Sequence, residues 1–176
     1  MSTAVAAPCA EHERLEELPL QDLQRRIEQF IFMEARLQDT HAYDDWEALW
    51  EDDAIYWIPA NGHDSDPERA MSIVYDNRSR IGLRVAQLKT GRRHTQTPRS
   101  ELARIVSNIE VGDPSDNQID VRANAMVFED SQRGETVWAA RLEYRLRFVA
   151  GQFRLVSKKV GLVNNHKPIF TLSFLI

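Results

Sequence analysis

At 176 residues, with 43% hydrophobic and 28% charged side chains, the chain has the composition of one globular domain with its own core, not of a disordered or fibrous polymer. A formal net charge of -5 and a sequence pI near 5.6 exclude a phosphate-binding surface as its main purpose, because nucleic-acid affinity is driven by lysines and arginines that neutralise phosphates. The single cysteine, Cys9, cannot close an intrachain disulfide, no signal-type segment opens the chain, and no apolar run approaches the roughly 20 residues of a membrane span. The expectation is a soluble, cytoplasmic protein with no nucleic-acid or membrane partner.

Residues 1–18 mix small and charged residues without periodicity and read as a flexible N-terminal arm, leaving 19–176 as a single domain. From Pro19 onward, Leu20, Leu23, Ile27, Phe30, Ile31 and Leu37 recur at helical spacing, which predicts an amphipathic helix with proline at its first turn. A shorter helix is predicted over 43–51, where Trp46, Leu49 and Trp50 share a face and Asp44 and Asp45 sit near the positive N-terminal end. "AIYWIP" then reads as a strand ended by Pro59, and "ANGHDSDPER" as a loop. "AMSIVY" reads as a short strand, followed by a helix capped by Asp76 that carries Ile81, Val85 and Leu88 on one side.

The remainder is strand-like. Four long β segments are predicted at 100–112, 117–129, 135–149 and 152–163, with "IFTLSFLI" as a further strand. In "VWAARLEYRLRFV" the alternation places Trp138, Ala140, Leu142, Tyr144, Leu146 and Phe148 on a core face, and Arg141, Glu143, Arg145 and Arg147 on the other. Helices followed by a meander of strands imply an α+β domain with the helices laid on one face of a curved, mainly antiparallel sheet.

The five histidines, His12, His41, His63, His94 and His166, show no close metal-ligand spacing, and a lone cysteine cannot help to build an iron-sulfur cluster. No P-loop, dinucleotide fingerprint or G-x-S-x-G elbow is present. A catalytic reading would draw on Asp44 or Asp45, Tyr56 and His94 as acid-base groups around a small organic substrate. The structural reading takes the same aspartates as helix-start charges and the tryptophans as packing between helix and sheet. The arginine stripe at 141, 145 and 147, with Arg122 on the neighbouring strand, reads either as a solvated face or as a subunit interface. "GRRHTQTPR" lacks the aromatics and glycine cradle of an anion or nucleic-acid site and reads as a solvated or partner-facing loop.

The order and spacing of "QFIFMEARLQDTHAYDDWEALWEDDAIYWIP", "IVYDNRSRIGLRVAQLKTG", "PRSELARIVSNIEV" and "RLVSKKVGLVNNH" are similar to those of one family. From about residue 24 onward the chain resembles the small, or beta, subunit of the Rieske non-heme iron aromatic-ring-hydroxylating dioxygenases. It departs from many relatives in reading "PRSELAR" where a more basic run is usual. The resemblance implies an NTF2-like (cystatin-like) α+β roll and a structural role in a dioxygenase complex that degrades aromatic compounds. It implies a beta trimer beneath three alpha subunits (α3β3) that carry a Rieske [2Fe-2S] cluster and a mononuclear non-heme iron, fed by a reductase and, in some systems, a ferredoxin. No catalytic, cofactor or metal residue is carried over to this chain. The candidate subunit interface comprises Trp57, Arg78, Arg84, Arg122, Arg141, Arg145 and Arg147. The alternative is a stand-alone dehydratase or isomerase of the same roll fold, using Asp44 or Asp45, Tyr56 and His94.

Overall fold

A computed structural model describes residues 14–62, 65–91, 98–169 and 171–176. Cys9, His12, His63 and His94 lie outside the described residues. The described residues begin with a single 3-10 turn, Leu15–Glu17, then α1 (Leu20–Asp39) and α2 (Tyr43–Glu47). Next come β1 (Trp50–Pro59), β2 (Ser72–Asn77) and α3 (Arg78–Lys89). Four long strands follow: β3 (Glu101–Val111), β4 (Gln118–Ser131), β5 (Gly134–Val149) and β6 (Gln152–Leu162). They form a six-stranded sheet in the order β2-β1-β6-β5-β4-β3, antiparallel throughout except where β1 runs parallel to β6. The α+β architecture matches the sequence expectation, and the three helices lie against one side of the sheet to make a roll.

The alternation in β5 is obeyed without a break: Trp138, Ala140, Leu142, Tyr144, Leu146 and Phe148 are all buried. On α1, Leu23, Ile27, Phe30 and Ile31 are buried against the sheet, whereas Leu20 is 70% exposed because it precedes the packed stripe. At about 25 cal/mol per Å² of apolar surface, a stripe of this kind supplies most of what holds such a helix, since propensity alone is marginal.

Local readings differ from the structure at four places. The predicted helix over 43–51 ends at Glu47, because the Leu49 carbonyl accepts from Leu155 N–H at 2.8 Å and pulls the next residue into β1. Helix α3 is capped by Asn77, whose Oδ1 accepts from Arg80 N–H at 3.1 Å, while Asp76 is engaged by Arg84 at 2.6 Å instead. Leu15, expected in a loose arm, is fully buried, and its N–H donates to Asn117 Oδ1 at 3.1 Å. The terminal segment is not a strand: residues 171–176 pair with no neighbour, yet Phe174, Leu175 and Ile176 are buried inside the roll.

Candidate functional site

The interior of the roll is the first place to look for chemistry, because it holds most of the buried polar groups. Glu34 and Lys158, each 1% exposed, form an ion pair at 2.8 Å. The same carboxylate accepts from Trp46 Nε1 at 2.7 Å and from the Tyr144 hydroxyl at 3.4 Å. Burial draws the Lys158 ammonium below the ordinary lysine value, with Glu34 pulling in the opposite direction. Burial, reinforced by the nearby Glu34 charge, pushes the Tyr144 phenol well above its usual range.

How Lys158 arrives there is a matter of register. Alternation from Phe153 and Leu155 would put Ser157 and Lys159 inside. Arg145 pairs with Ser157 but Leu146 pairs with Leu155, so Val156 is an extra residue, a β-bulge that reverses the phase. Lys158 turns inward and Lys159 outward.

A second group lies beside the first. Arg104, its side chain 3% exposed, donates to Asp39 Oδ1 at 2.5 Å and to the Leu175 carbonyl. Tyr56, 1% exposed, donates its hydroxyl proton to the Ile176 carbonyl at 2.6 Å. Burial raises the Tyr56 phenol far above the physiological range, so it serves as a hydrogen-bond donor and not as a base. Glu129, 2% exposed, is satisfied by Ser100 Oγ at 2.7 Å, Trp138 Nε1 at 2.9 Å and Ser173 Oγ at 3.1 Å. The chain's own last residues are thus held by three separate polar groups: Arg104, Tyr56 and Glu129.

Little space remains beside the Glu34–Lys158 pair. The cavity bounded by Glu34, Gln38, Arg104, Tyr144, Lys158 and Ile176 has a volume of about 10 Å³. That is room for about one water molecule and not for an organic substrate, which needs a few hundred Å³. The described members of the alternative acid-base set, Asp44, Asp45 and Tyr56, are not brought together either. Asp44 is 72% exposed and bonded to Lys89 at 2.7 Å, Asp45 is exposed, and Tyr56 is sealed under the tail. Tyr56 and the aspartates therefore do not face a common substrate. His41, by contrast, is fixed: its Nε2 pairs with the Ser100 carbonyl at 3.0 Å and its Nδ1 with the Tyr43 hydroxyl at 2.9 Å. These partners make Nε2 the protonated nitrogen.

The outer face of the sheet is organised differently. An open groove of about 620 Å³ runs across β1, β6, β5 and β4, with Ile55 and Trp57 on one side and Arg122, Glu143, Arg145 and Lys159 along it. Of the expected interface residues, the structure brings Trp57, Arg122 and Arg145 together here. The Trp57 indole donates to Ser72 Oγ at 2.9 Å and lies 5.1 Å from Lys159 Nζ. Arg145 makes a two-pronged contact with Asp120 at 2.8 and 3.1 Å, and Arg122 meets Glu110 at 3.3 Å. Arg147 bridges Glu51 and Asp53, at 3.1 and 2.9 Å, and Arg141 stands exposed one row beyond Glu143. Arg78 and Arg84 are elsewhere, on α3, paired with Glu47 at 2.8 Å and Asp76 at 2.6 Å.

The residues that sequence reasoning missed are the buried ones, Glu34, Lys158, Glu129 and Arg104. Glu34 and Gln38 did leave a signal: they continue the stripe of Ile27 and Ile31 at spacings of seven and eleven residues, where an apolar side chain belongs. Among the described residues no set of three His, Cys, Asp or Glu side chains converges as a metal site, and the donor set fits neither a cluster nor a mononuclear iron.

Residues 33–167 match the family model described as the ring hydroxylating beta subunit. The chain is 31% identical over 147 residues to the benzoate 1,2-dioxygenase subunit beta of Acinetobacter baylyi, covering 80% of this chain and 86% of that one. It is 28% identical over 138 residues to the small oxygenase component of the p-cumate 2,3-dioxygenase system of Pseudomonas putida, covering 77% of each. The crystal structure of the beta subunit of benzoate 1,2-dioxygenase from Burkholderia mallei superposes with a TM-score of 0.68 at 25% identity, over 88% of this chain and 98% of the other. A roll whose interior is occupied by its own ion pairs and tail, with its open groove on the outside, thus belongs to the family of ring-hydroxylating dioxygenase beta subunits.

Proposed function

We propose that this chain is the structural subunit of an aromatic-ring-hydroxylating dioxygenase and carries out no chemical step itself. Residues 19–176 act as one domain that assembles as a trimeric core beneath three alpha subunits, giving α3β3. The alpha subunits hold a Rieske [2Fe-2S] cluster and a mononuclear non-heme iron, and receive electrons from a reductase, directly or through a ferredoxin. The working compartment is the cytoplasm; no helix among the described residues is long and apolar enough to cross a membrane. The relatives named for benzoate and p-cumate support an aromatic acid as the ring substrate.

One observation carries the non-catalytic reading: the space beside the buried Glu34–Lys158 pair is only about 10 Å³. Of the charged groups that line it, Glu34 and Lys158 pair with each other, and Arg104 is held by Asp39 and by the tail. Purification of the tagged chain from its own host tests the assembly. The expected outcome is a large complex containing an iron-bearing polypeptide with a Rieske-type signal, and no aromatic oxygenation by this chain with reductase alone. A small, iron-free oligomer without a stable partner would overturn the proposal, as would turnover by the isolated chain.

A further inference from the structure

The chain contains seven asparagines, and Asn61 alone is followed by glycine. That dipeptide lies just past the last β1–β2 pair, Pro59 with Ser72, in the loop that joins the two strands. A hydrogen bond from the Ala60 N–H to the Met71 carbonyl at 3.2 Å closes the base of the loop. Beyond that bond Asn61 is exposed, and no hydrogen bond among the described residues engages its side-chain amide or the Gly62 N–H. Gly62 has φ 102°, a conformation open to glycine because it carries no Cβ. Among the described residues, no atom beyond its chain neighbours lies within 4 Å of the place a Cβ would take. The Gly62 peptide nitrogen is therefore free of both a hydrogen bond and a shielding side chain.

The other six asparagines are restrained or shielded. Asn77 Oδ1 accepts from the Arg80 N–H at 3.1 Å and from Ser79 Oγ at 2.9 Å, and Asn117 Oδ1 accepts from the Leu15 N–H at 3.1 Å. Asn124 lies inside the sheet, opposite Ser107 on one side and Arg141 on the other. Asn165 is buried, and its Nδ2 donates to the Pro59 carbonyl at 3.5 Å. Asn108 precedes the β-branched Ile109 within β3, and Asn164 precedes Asn165. In both, the side chain of the next residue crowds the peptide nitrogen.

We propose that Asn61 is a site of spontaneous deamidation in the folded chain, yielding aspartate and isoaspartate. The Gly62 backbone nitrogen gives up its proton to base and attacks Asn61 Cγ. The new N–Cγ bond closes a succinimide ring as the Cγ–Nδ2 bond breaks, and ammonia leaves. Water then opens the ring at either carbonyl. One opening restores the ordinary peptide link beside an aspartate, and the other leaves the chain running through the former side-chain carboxyl. No electrons are transferred: one water is gained and one ammonia lost. Either product adds one negative charge to a chain whose formal net charge is -5. The extra backbone methylene of the isoaspartyl form falls outside the strand register, in an exposed loop of the kind that tolerates insertion.

The test follows every asparagine by peptide mapping and mass spectrometry in the full chain, held folded at neutral and at mildly alkaline pH, with a parallel sample unfolded in urea. The mass gain that marks exchange of ammonia for water should appear first at Asn61 and grow faster at the higher pH, because the attacking nitrogen must lose its proton. Unfolding should accelerate the other six and leave Asn61 within a few-fold of its native rate, since a loop that is already open needs no opening step. An isoaspartate-specific methyl transfer assay should count the rearranged form at the same position. Asn61→Gln should abolish the early acidic species, and Asn61→Asp supplies its standard in ion-exchange chromatography.

Deamidation that begins at another asparagine, or at Asn61 only once urea has unfolded the chain, would overturn the proposal. So would an early acidic species that survives in Asn61→Gln.

Discussion

The two faces of one sheet handle charge in opposite ways. Inside, Lys158 and Glu34 are each 1% exposed, and their remaining valences are taken by Gln38, Trp46 and Tyr144. Outside, Arg145 and Asp120 pair with side chains 54% and 66% exposed, and no ion pair among the described residues engages Glu101, Asp130 or Glu135. Buried charge must be compensated completely or it unfolds the domain, so the inner groups are committed to structure. Exposed charge costs little and leaves the outer face available to partners. In this fold the residue types that resemble catalytic machinery are therefore the least free to act.

The sharpest way to break the contrast is to remove one inner partner. Lys158→Met leaves Glu34 buried and unpaired, and the expected loss is about 3–5 kcal/mol in urea unfolding. Replacing both, Glu34→Leu with Lys158→Met, should recover part of that loss. Recovery stays incomplete because the Trp46 indole N–H loses its acceptor, a buried vacancy costing about 1–3 kcal/mol. A single Lys158→Met change with no measurable effect would mean that the pair is not sealed from water.

Phe174→Ala probes the tail that fills the roll. Its ring is 6% exposed and packs edge-on to Trp138 with centroids 6.0 Å apart, so truncation should cost about 3 kcal/mol. The variant should also bind a small arene such as benzene, read as a ligand-dependent rise in Tm that the parent lacks. An unchanged response to benzene in the variant would show that the walls collapse into the space.

A gain is expected at the β5–β6 turn. Val149 pairs with Gln152 across a two-residue loop in which Ala150 has φ 50° and Gly151 φ 80°. Glycine suits its position, but alanine in the left-handed region costs about 1–2 kcal/mol. Asparagine followed by glycine is the favoured pair for this geometry. Ala150→Asn should raise Tm by roughly 2–4 °C, the shift that about 1 kcal/mol produces in a domain of this size. A lower Tm would mean that the turn is fixed by its surroundings and not by its own backbone preference.

These effects also divide what the sequence reveals from what it hides. The α1 stripe and the six core positions of β5 follow from periods of 3.6 and 2, and the beta-subunit motifs identify the family before any packing is seen. The inward turn of Lys158 does not follow, because it depends on a bulge at Val156 that only strand pairing reveals. The tail misleads for a related reason: "IFTLSFLI" has strand composition, yet its end is captured by Arg104, Tyr56 and Glu129 from elsewhere in the chain. The arginine stripe on β5 is legible as an exposed face. Its resolution into balanced pairs along a groove requires the register with β3 and β4.

The smallest expected effect belongs to the outer face and has a definite sign. The hydrogen bond from Arg145 holds the Asp120 carboxyl below the usual aspartate value, outweighing the upward push from burial. A carboxyl whose folded pKa is depressed contributes stability above its unfolded pKa and loses that contribution as pH falls through the folded value. For Asp120 the loss is therefore confined to the acid side of about pH 4, and solvent screening keeps it small. Carboxyl NMR titration should place the Asp120 midpoint below the ordinary range in the parent chain. In Arg145→Gln the midpoint should move back up, with little change in stability at neutral pH. A midpoint that ignores the substitution would mean that Asp120 takes its depression from another cation, and the balanced pairs of the groove would have to be reassigned.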